Sequence, residues 1–198
     1  MKLRILLSIA VLGSGVFAGQ SLIAADKEEE AKFACKCVVS GKPALEDAFV
    51  EQNGKKVYFC CTNCPKAFAK DPEKFATKVN HQWAVTGQIV QVACPLTGRK
   101  IDAEKTVEID GATVAFCCAN CQGKAEKTDD KIALVFADIS KGFTLQDKCP
   151  VSGKPIQIDK LVEYQGEKVY FCCPNCPAAF EKDPEKYVAK LPQLAEKK

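Results

Sequence analysis

Three pairs of adjacent cysteines, each with another cysteine three residues beyond, carry the chemistry of this chain: Cys60-Cys61 with Cys64, Cys117-Cys118 with Cys121, and Cys172-Cys173 with Cys176. Thiolates are soft ligands, and a site offering three or four of them suits zinc or copper(I). A lone cysteine precedes each set (Cys37, Cys94, Cys149), followed three residues later by a hydroxyl residue (Ser40, Thr97, Ser152) and then by glycine. A second glycine (Gly54, Gly111, Gly166) lies seventeen residues after the lone cysteine, and the double cysteine begins six residues after that. The spacing holds through three copies without insertion or deletion, which makes the chain a triplicated cysteine module. Twelve of the thirteen cysteines fall in this frame, and Cys35 stands outside it.

A four-cysteine finger takes one ligand pair from a CxxC knuckle and another from a helix start. Here the knuckle pair is incomplete, because Ser40, Thr97 and Ser152 stand where its second cysteine would be. Cys61, Cys118 and Cys173 either restore the count of four or leave a three-sulfur site with one position open. The helix-start cysteines (Cys64, Cys121, Cys176) are expected to gain thiolate character from the unsatisfied amides there. Disulfide stapling or thiol redox chemistry is the rival reading, since each module also contains a CxxC. No βαβ pattern surrounds any of them, and the glycine after CxxS or CxxT is a feature of metal knuckles. Cys35 is read as a spare thiol or an accessory ligand.

The elements that must position these sulfurs are short. Gly41 supplies the positive φ of a tight knuckle. Ala48 to Gln52 and Lys55 to Cys60 form strands joined by Asn53-Gly54, a two-residue hairpin signal that Asp110-Gly111 repeats and Gln165-Gly166 keeps in part. Asn63, Asn120 and Asn175 are placed to cap the following helices. Phe68 lies four residues beyond Cys64 on the same helix face, and Asp71-Pro72 reads as a second cap. The third copy repeats these with Phe180, Asp183-Pro184 and Tyr187, whereas the second has Ala125 and Thr128-Asp129, so its helix is expected to be less well packed. Between modules, Ile89 to Val92 and Phe143 to Leu145 alternate as strands. His81 is read as a surface residue rather than a ligand, and Trp83 as a plug between modules.

The N-terminus reads as an export signal, with Lys2 and Arg4 ahead of the apolar run Ile5 to Ala18 and cleavage expected after Ala25. Residues 1–25 hold two basic and no acidic residues, so the formal charge of +3 falls to +1 on their removal. A chain so close to neutral lacks the basic face that a nucleic-acid partner requires. No membrane span is expected after signal removal. A linker covers 26–33, module 1 covers 34–80, module 2 covers 88–136 and module 3 covers 143–192. Units of this size make marginal cores unless a metal or disulfide helps. Ala195 to Lys198 are expected to form a solvated tail.

These residues resemble the YHS and TRASH families of metal-binding modules, related to FCS-type and MYM-type treble-clef zinc fingers. Cys37, Cys60 and Cys64 fit the TRASH spacing of a cysteine, about twenty residues and CxxxC, as do Cys94, Cys117, Cys121 and Cys149, Cys172, Cys176. Phe171-Cys172, Cys176, Phe180, Pro184 and Tyr187 fit the YHS pattern, with Cys61, Cys118 and Cys173 in place of the serine of FCS. The resemblance implies roles in heavy-metal sensing, trafficking or resistance.

Together these readings predict an α+β chain of three treble-clef-like modules, each a knuckle, a β-hairpin and one or two short helices. The metal ligands are expected among Cys37, Cys60, Cys61, Cys64, Cys94, Cys117, Cys118, Cys121, Cys149, Cys172, Cys173 and Cys176, with about one zinc or copper(I) ion per module. There are no paired carboxylates in a motif, no nucleophile with a partner histidine and no phosphate loop, so catalysis is not expected. The expected role is metal storage, buffering or delivery in the periplasm or outside the cell, with a metal transporter or metalloenzyme as a recipient. An interaction scaffold stapled by ions or disulfides is the alternative.

Overall fold

The computed structural model describes residues 34–195. The signal at 1–25, the linker at 26–33 and the tail residues 196–198 lie outside the described residues.

In the first module, β1 (Phe49–Gln52) pairs antiparallel with β2 (Lys55–Tyr58). Asn53 and Gly54 both take positive φ, 53° and 70°, the left-handed pair that matches strand twist in a two-residue turn. Then follow α1 (Cys64–Lys70), a 3-10 turn (Glu73–Phe75) and α2 (Ala76–Val85). The Asp71 carboxylate accepts the Lys74 N–H at 3.3 Å, as its place before Pro72 predicts. The helix α2 runs past residue 80, where the sequence reading closes the module.

After β3 (Val90–Gln91), the pattern recurs as β4 (Asp102–Ile109), β5 (Ala112–Phe116), α3 (Ala119–Lys127) and α4 (Lys131–Phe136). It recurs again after β6 (Phe143–Thr144) as β7 (Gln157–Tyr164), β8 (Glu167–Phe171), α5 (Asn175–Lys182), α6 (Glu185–Val188) and α7 (Pro192–Ala195). The two linker strands pair with each other, Val90 opposite Thr144 and Gln91 opposite Phe143. The architecture is therefore α+β, with four two-stranded antiparallel sheets among the described residues.

The first two modules share one core. Phe59, Phe68, Val79 and Trp83 meet Ile109, Val114, Phe116, Ala125 and Phe136 in a single cluster, while the third module closes separately over Phe171, Phe180, Leu191 and Leu194. Trp83 is the expected plug, and its indole N–H donates to the Lys56 carbonyl at 3.0 Å.

Two expectations change. His81 is buried rather than on the surface, because α2 turns it inward between the modules: its Nε2 lies 2.9 Å from the Ile109 carbonyl oxygen, and its ring meets Phe136 edge-on. The second module does not lack packing either. Ala125 is fully buried, and α4, capped by the Asp130 carboxylate accepting the Ala133 N–H at 2.9 Å, supplies Val135 and Phe136 to the core.

Candidate metal centre

Each site begins with a knuckle that brings the backbone back on itself. In the first, the Gly41 N–H donates to the Cys37 carbonyl at 2.8 Å, and the Cys37 N–H donates to the Lys42 carbonyl at 2.8 Å. Gly98 and Gly153 bond Cys94 and Cys149 in the same way at 2.8 Å. The three glycines have φ of 72°, 69° and 74°, a region costly for any residue with a Cβ, so the tight return depends on them.

The hydroxyl that replaces a knuckle cysteine has its own task. Ser40 Oγ lies 3.1 Å from Cys60 Sγ, Thr97 Oγ1 lies 3.3 Å from Cys117 Sγ, and Ser152 Oγ lies 3.0 Å from Cys172 Sγ. Each hydroxyl also accepts the N–H of the residue two positions on. It thus ties the knuckle to the sulfur at the end of the hairpin.

The knuckle, hairpin end and helix start converge on three sulfurs: Cys37, Cys60 and Cys64; Cys94, Cys117 and Cys121; Cys149, Cys172 and Cys176. Within each group all three Sγ atoms lie inside 4.8 Å of one another. The hairpin-end and helix-start sulfurs lie 3.7 Å apart for Cys60–Cys64, 3.8 Å for Cys117–Cys121 and 3.7 Å for Cys172–Cys176. A tetrahedral ion with metal–sulfur bonds of about 2.3 Å spaces its sulfurs about 3.8 Å apart, so the donor set fits a thiophilic ion. Each of the three groups could hold one. In the third, Phe180 stacks edge-on against Phe171 and packs against Tyr187 beneath the site.

Residues 148–190 match the family model of the YHS domain. The match spans the third module from its knuckle through α6 and ends on the segment leading into α7. No curated protein and no solved structure matches the chain.

The second cysteine of each pair stands beside the group of three and outside it. Cys61 Sγ is 3.5 Å from Cys64 Sγ, Cys173 Sγ is 3.4 Å from Cys176 Sγ, and Cys118 Sγ is 3.8 Å from Cys117 Sγ. Cys61 is exposed and the other two are half-buried, while the knuckle and helix-start cysteines are buried. The capping role expected of asparagine is not taken up at the first of these helices. Asn63 precedes α1, yet its side chain makes no capping bond. The Cys61 sulfur lies near the amides of Asn63 and Cys64, and Cys173 near those of Asn175 and Cys176, the latter also donating to the Cys173 carbonyl at 3.3 Å. Cys118, in extended conformation, is the N-cap of α3, and its side chain likewise makes no capping bond.

The electrostatics correct a second expectation. The helix-start thiols are not the acidic ones. Burial, then the neighbouring sulfurs of Cys61, Cys60 and Cys37, push Cys64 up to about 12. Burial with the sulfurs of Cys117 and Cys118 does the same to Cys121, also to about 12, and Cys176 is raised for the same reasons. The knuckle thiols go the other way. Burial alone would raise Cys37, but the Ser40 hydroxyl and the amides of Ser40, Cys60 and Val39 outweigh it and bring it down to about 7. Cys94 and Cys149 reach about 7 against the same burial, through Thr97 and Ser152 and their nearby amides. The amides at the helix start lower Cys61 and Cys118, and the Cys176 thiol followed by those amides lowers Cys173.

A glutamine clamp, absent from the sequence reading, fixes each knuckle to its hairpin. Gln146 accepts the Tyr170 N–H at 3.0 Å through Oε1 and donates through Nε2 to the Lys148 carbonyl at 3.0 Å and the Tyr170 carbonyl at 2.5 Å. Gln91 does the same with the Ala115 N–H, the Ala93 carbonyl and the Ala115 carbonyl. Both sit three residues before the knuckle cysteine. The first module has Ala34 there, and Gln82 of α2 reaches back to make the equivalent bonds to Tyr58 and Lys36 at 2.7 to 3.0 Å. Three glutamines in matching surroundings could have been suspected from Gln91 and Gln146 alone; nothing local marks Gln82.

Cys35 is buried outside the triad. Burial first, then the charge of Cys37, raises its thiol to about 11. It behaves as a small apolar side chain.

Proposed function

We propose that this is an exported heavy-metal binding protein acting in storage, buffering or delivery, with zinc or copper(I) as the cargo. The observation that supports the reading is the threefold recurrence of a three-thiol group at ligand spacing, each with a further thiol at its edge. Copper(I) accepts three sulfurs, and zinc completes its shell with a fourth ligand. A core-only role for cysteine would not demand this convergence, since buried thiols pack as small hydrophobes wherever volume allows. Export is supported by Lys2 and Arg4 ahead of the apolar run to Ala18. Among the described residues no helix is long and apolar enough to cross a membrane.

Elemental analysis of the protein purified from its native compartment tests the reading. The expected content is one ion for each of the three thiol groups, zinc or copper, with matching protection of thiols from alkylation. A metal-free protein carrying intramodular disulfides would overturn it in favour of a stapled scaffold. Storage or delivery further requires release: ions that survive days of chelator competition would also favour the scaffold.

A further inference from the structure

We propose that Cys61, Cys118 and Cys173 are exchange ligands, thiols that hold a soft cation in passing as it moves between the three-sulfur group and an outside acceptor. The inference rests on the metal-binding reading and names how the cargo would enter and leave.

The argument starts from position. Each of these sulfurs lies 3.4 to 3.8 Å from one triad member, within the spacing of two ligands on one ion. None belongs to the group of three that lie mutually within 4.8 Å. Each is therefore next to the site without closing it. The second observation is access. Two of the three sulfurs in each triad, at the knuckle and the helix start, are buried, from fully covered Cys94 to Cys64 at 8% exposure, while the hairpin-end sulfurs Cys60, Cys117 and Cys172 are half-buried, so an outside acceptor meets each group at its hairpin edge. Cys61 is exposed, and Cys118 and Cys173 are half-buried.

The third observation concerns why cysteine stands there at all. At the start of α3, Cys118 occupies the N-cap position without making a side-chain capping bond, so capping leaves the thiol unexplained. What each of these sulfurs does have is a neighbouring sulfur of the triad at ligand spacing, so little movement is required when it takes a metal bond. In each transfer step one metal–sulfur bond forms as another breaks. The arriving thiol gives its proton to solvent, the departing thiolate regains one, and the cation keeps its oxidation state.

The test uses the full mature chain loaded with copper(I), and the triple variant C61S/C118S/C173S. Serine keeps a polar atom of similar size near the helix-start amides, so the fold is retained. Transfer to the chromophoric chelator bicinchoninate is followed by absorbance. The expected result is unchanged stoichiometry, affinity within a few-fold, and transfer slowed by about tenfold or more, since exchange rates follow access to a competent thiolate. An unchanged rate would overturn the proposal. So would a loss of affinity as large as that of C64S/C121S/C176S, which would make the extra thiol a full fourth ligand. Alkylation of the loaded wild-type protein by iodoacetamide provides a readout independent of the variants. Cys61, Cys118 and Cys173 should react first, and uniform protection of all twelve would contradict the proposal. Failure of the wild-type chain to bind copper(I) or zinc would instead remove the underlying function.

Discussion

Trp83 and Phe136 sit in a core drawn from both the first and the second module, whereas Leu191 and Leu194 close the third with its own C-terminal segment. The contrast shows two answers to one problem. A unit of about 50 residues buries too little apolar surface for comfort. The third module keeps its own aromatic set, Phe171, Phe180 and Tyr187, and that is where the YHS family model matches. The second module, with Ala125 in the place of Phe68 and Phe180, draws on its neighbour's α2 and on α4. Leaning on a neighbour relaxes the demand on local residues, and that module then departs furthest from the common pattern.

The largest effect should come from Trp83→Ala. Truncating this buried plug should cost about 3–5 kcal/mol and open the first two modules together. Hydrogen exchange should show lost protection in β1, β2, β4 and β5 while β7 and β8 keep theirs. Loss confined to the first module would mean that the core is not shared. Next in size are the clamps. Gln146→Leu strands the buried N–H and carbonyl of Tyr170, at a cost of about 1–3 kcal/mol each, and frees the Lys148 carbonyl. The loosening should be local to the third module, whereas Gln82→Leu should disturb the second module as well, because Gln82 rides on α2. Identical exchange footprints for the two variants would erase the distinction.

Gly142→Ala probes the join between the linker strands and the second knuckle. A Cβ at 142 would stand 2.6 Å from the Pro95 Cα, with backbone that cannot swing aside. A cost of about 1–3 kcal/mol is expected, read as a lower melting temperature together with faster exchange at the Val92 and Ala93 amides. Unaltered melting would show that the two segments separate freely. The smallest effect is a proton count. Metal must displace the protons of its thiol ligands, and the Cys64 and Cys121 thiols, held up at about 12, keep theirs at neutral pH in the empty protein. Binding therefore weakens as pH falls. The protons released per site should rise by up to one between pH 8 and pH 6, as the knuckle thiols near 7 become protonated in the empty state. Calorimetry in buffers of different ionisation enthalpy measures this count, and a constant value would contradict the knuckle assignment.

Much of the local structure could be read from the chain. Asn53-Gly54 and Asp110-Gly111 specify their turns because only a few residues tolerate the left-handed region. Gln165 adopts φ of 53° at the equivalent place because the strands on both sides impose it. The convergence of Cys37, Cys60 and Cys64 was legible for a related reason: three copies share one spacing, and a shared spacing transmits a shared geometry. What could not be read depends on contacts between distant segments. Gln82 meets Lys36 across 46 positions, and His81 is buried only because a neighbouring module lies over it. The cap was hidden for a local reason: Asn63 has the residue type of a cap, and only the path of the chain into α1, where Asn63 already takes helical φ and ψ, leaves its side chain without a capping bond.

The pairing of β3 with β6 also sets an order of events when the chain is made. It holds the two ends of the middle module side by side, so that module forms a closed loop between Gln91 and Phe143. Synthesis runs from the N-terminus, and Trp83 emerges about 50 residues before Phe136. At about 5–20 residues per second, Trp83 and Val79 would wait several seconds for the side chains that cover them. The third module involves no such delay, because its hairpin, α5 and its closing leucines arrive in one continuous run. The larger of the two cores among the described residues is thus the part that stays uncovered longest during its own production.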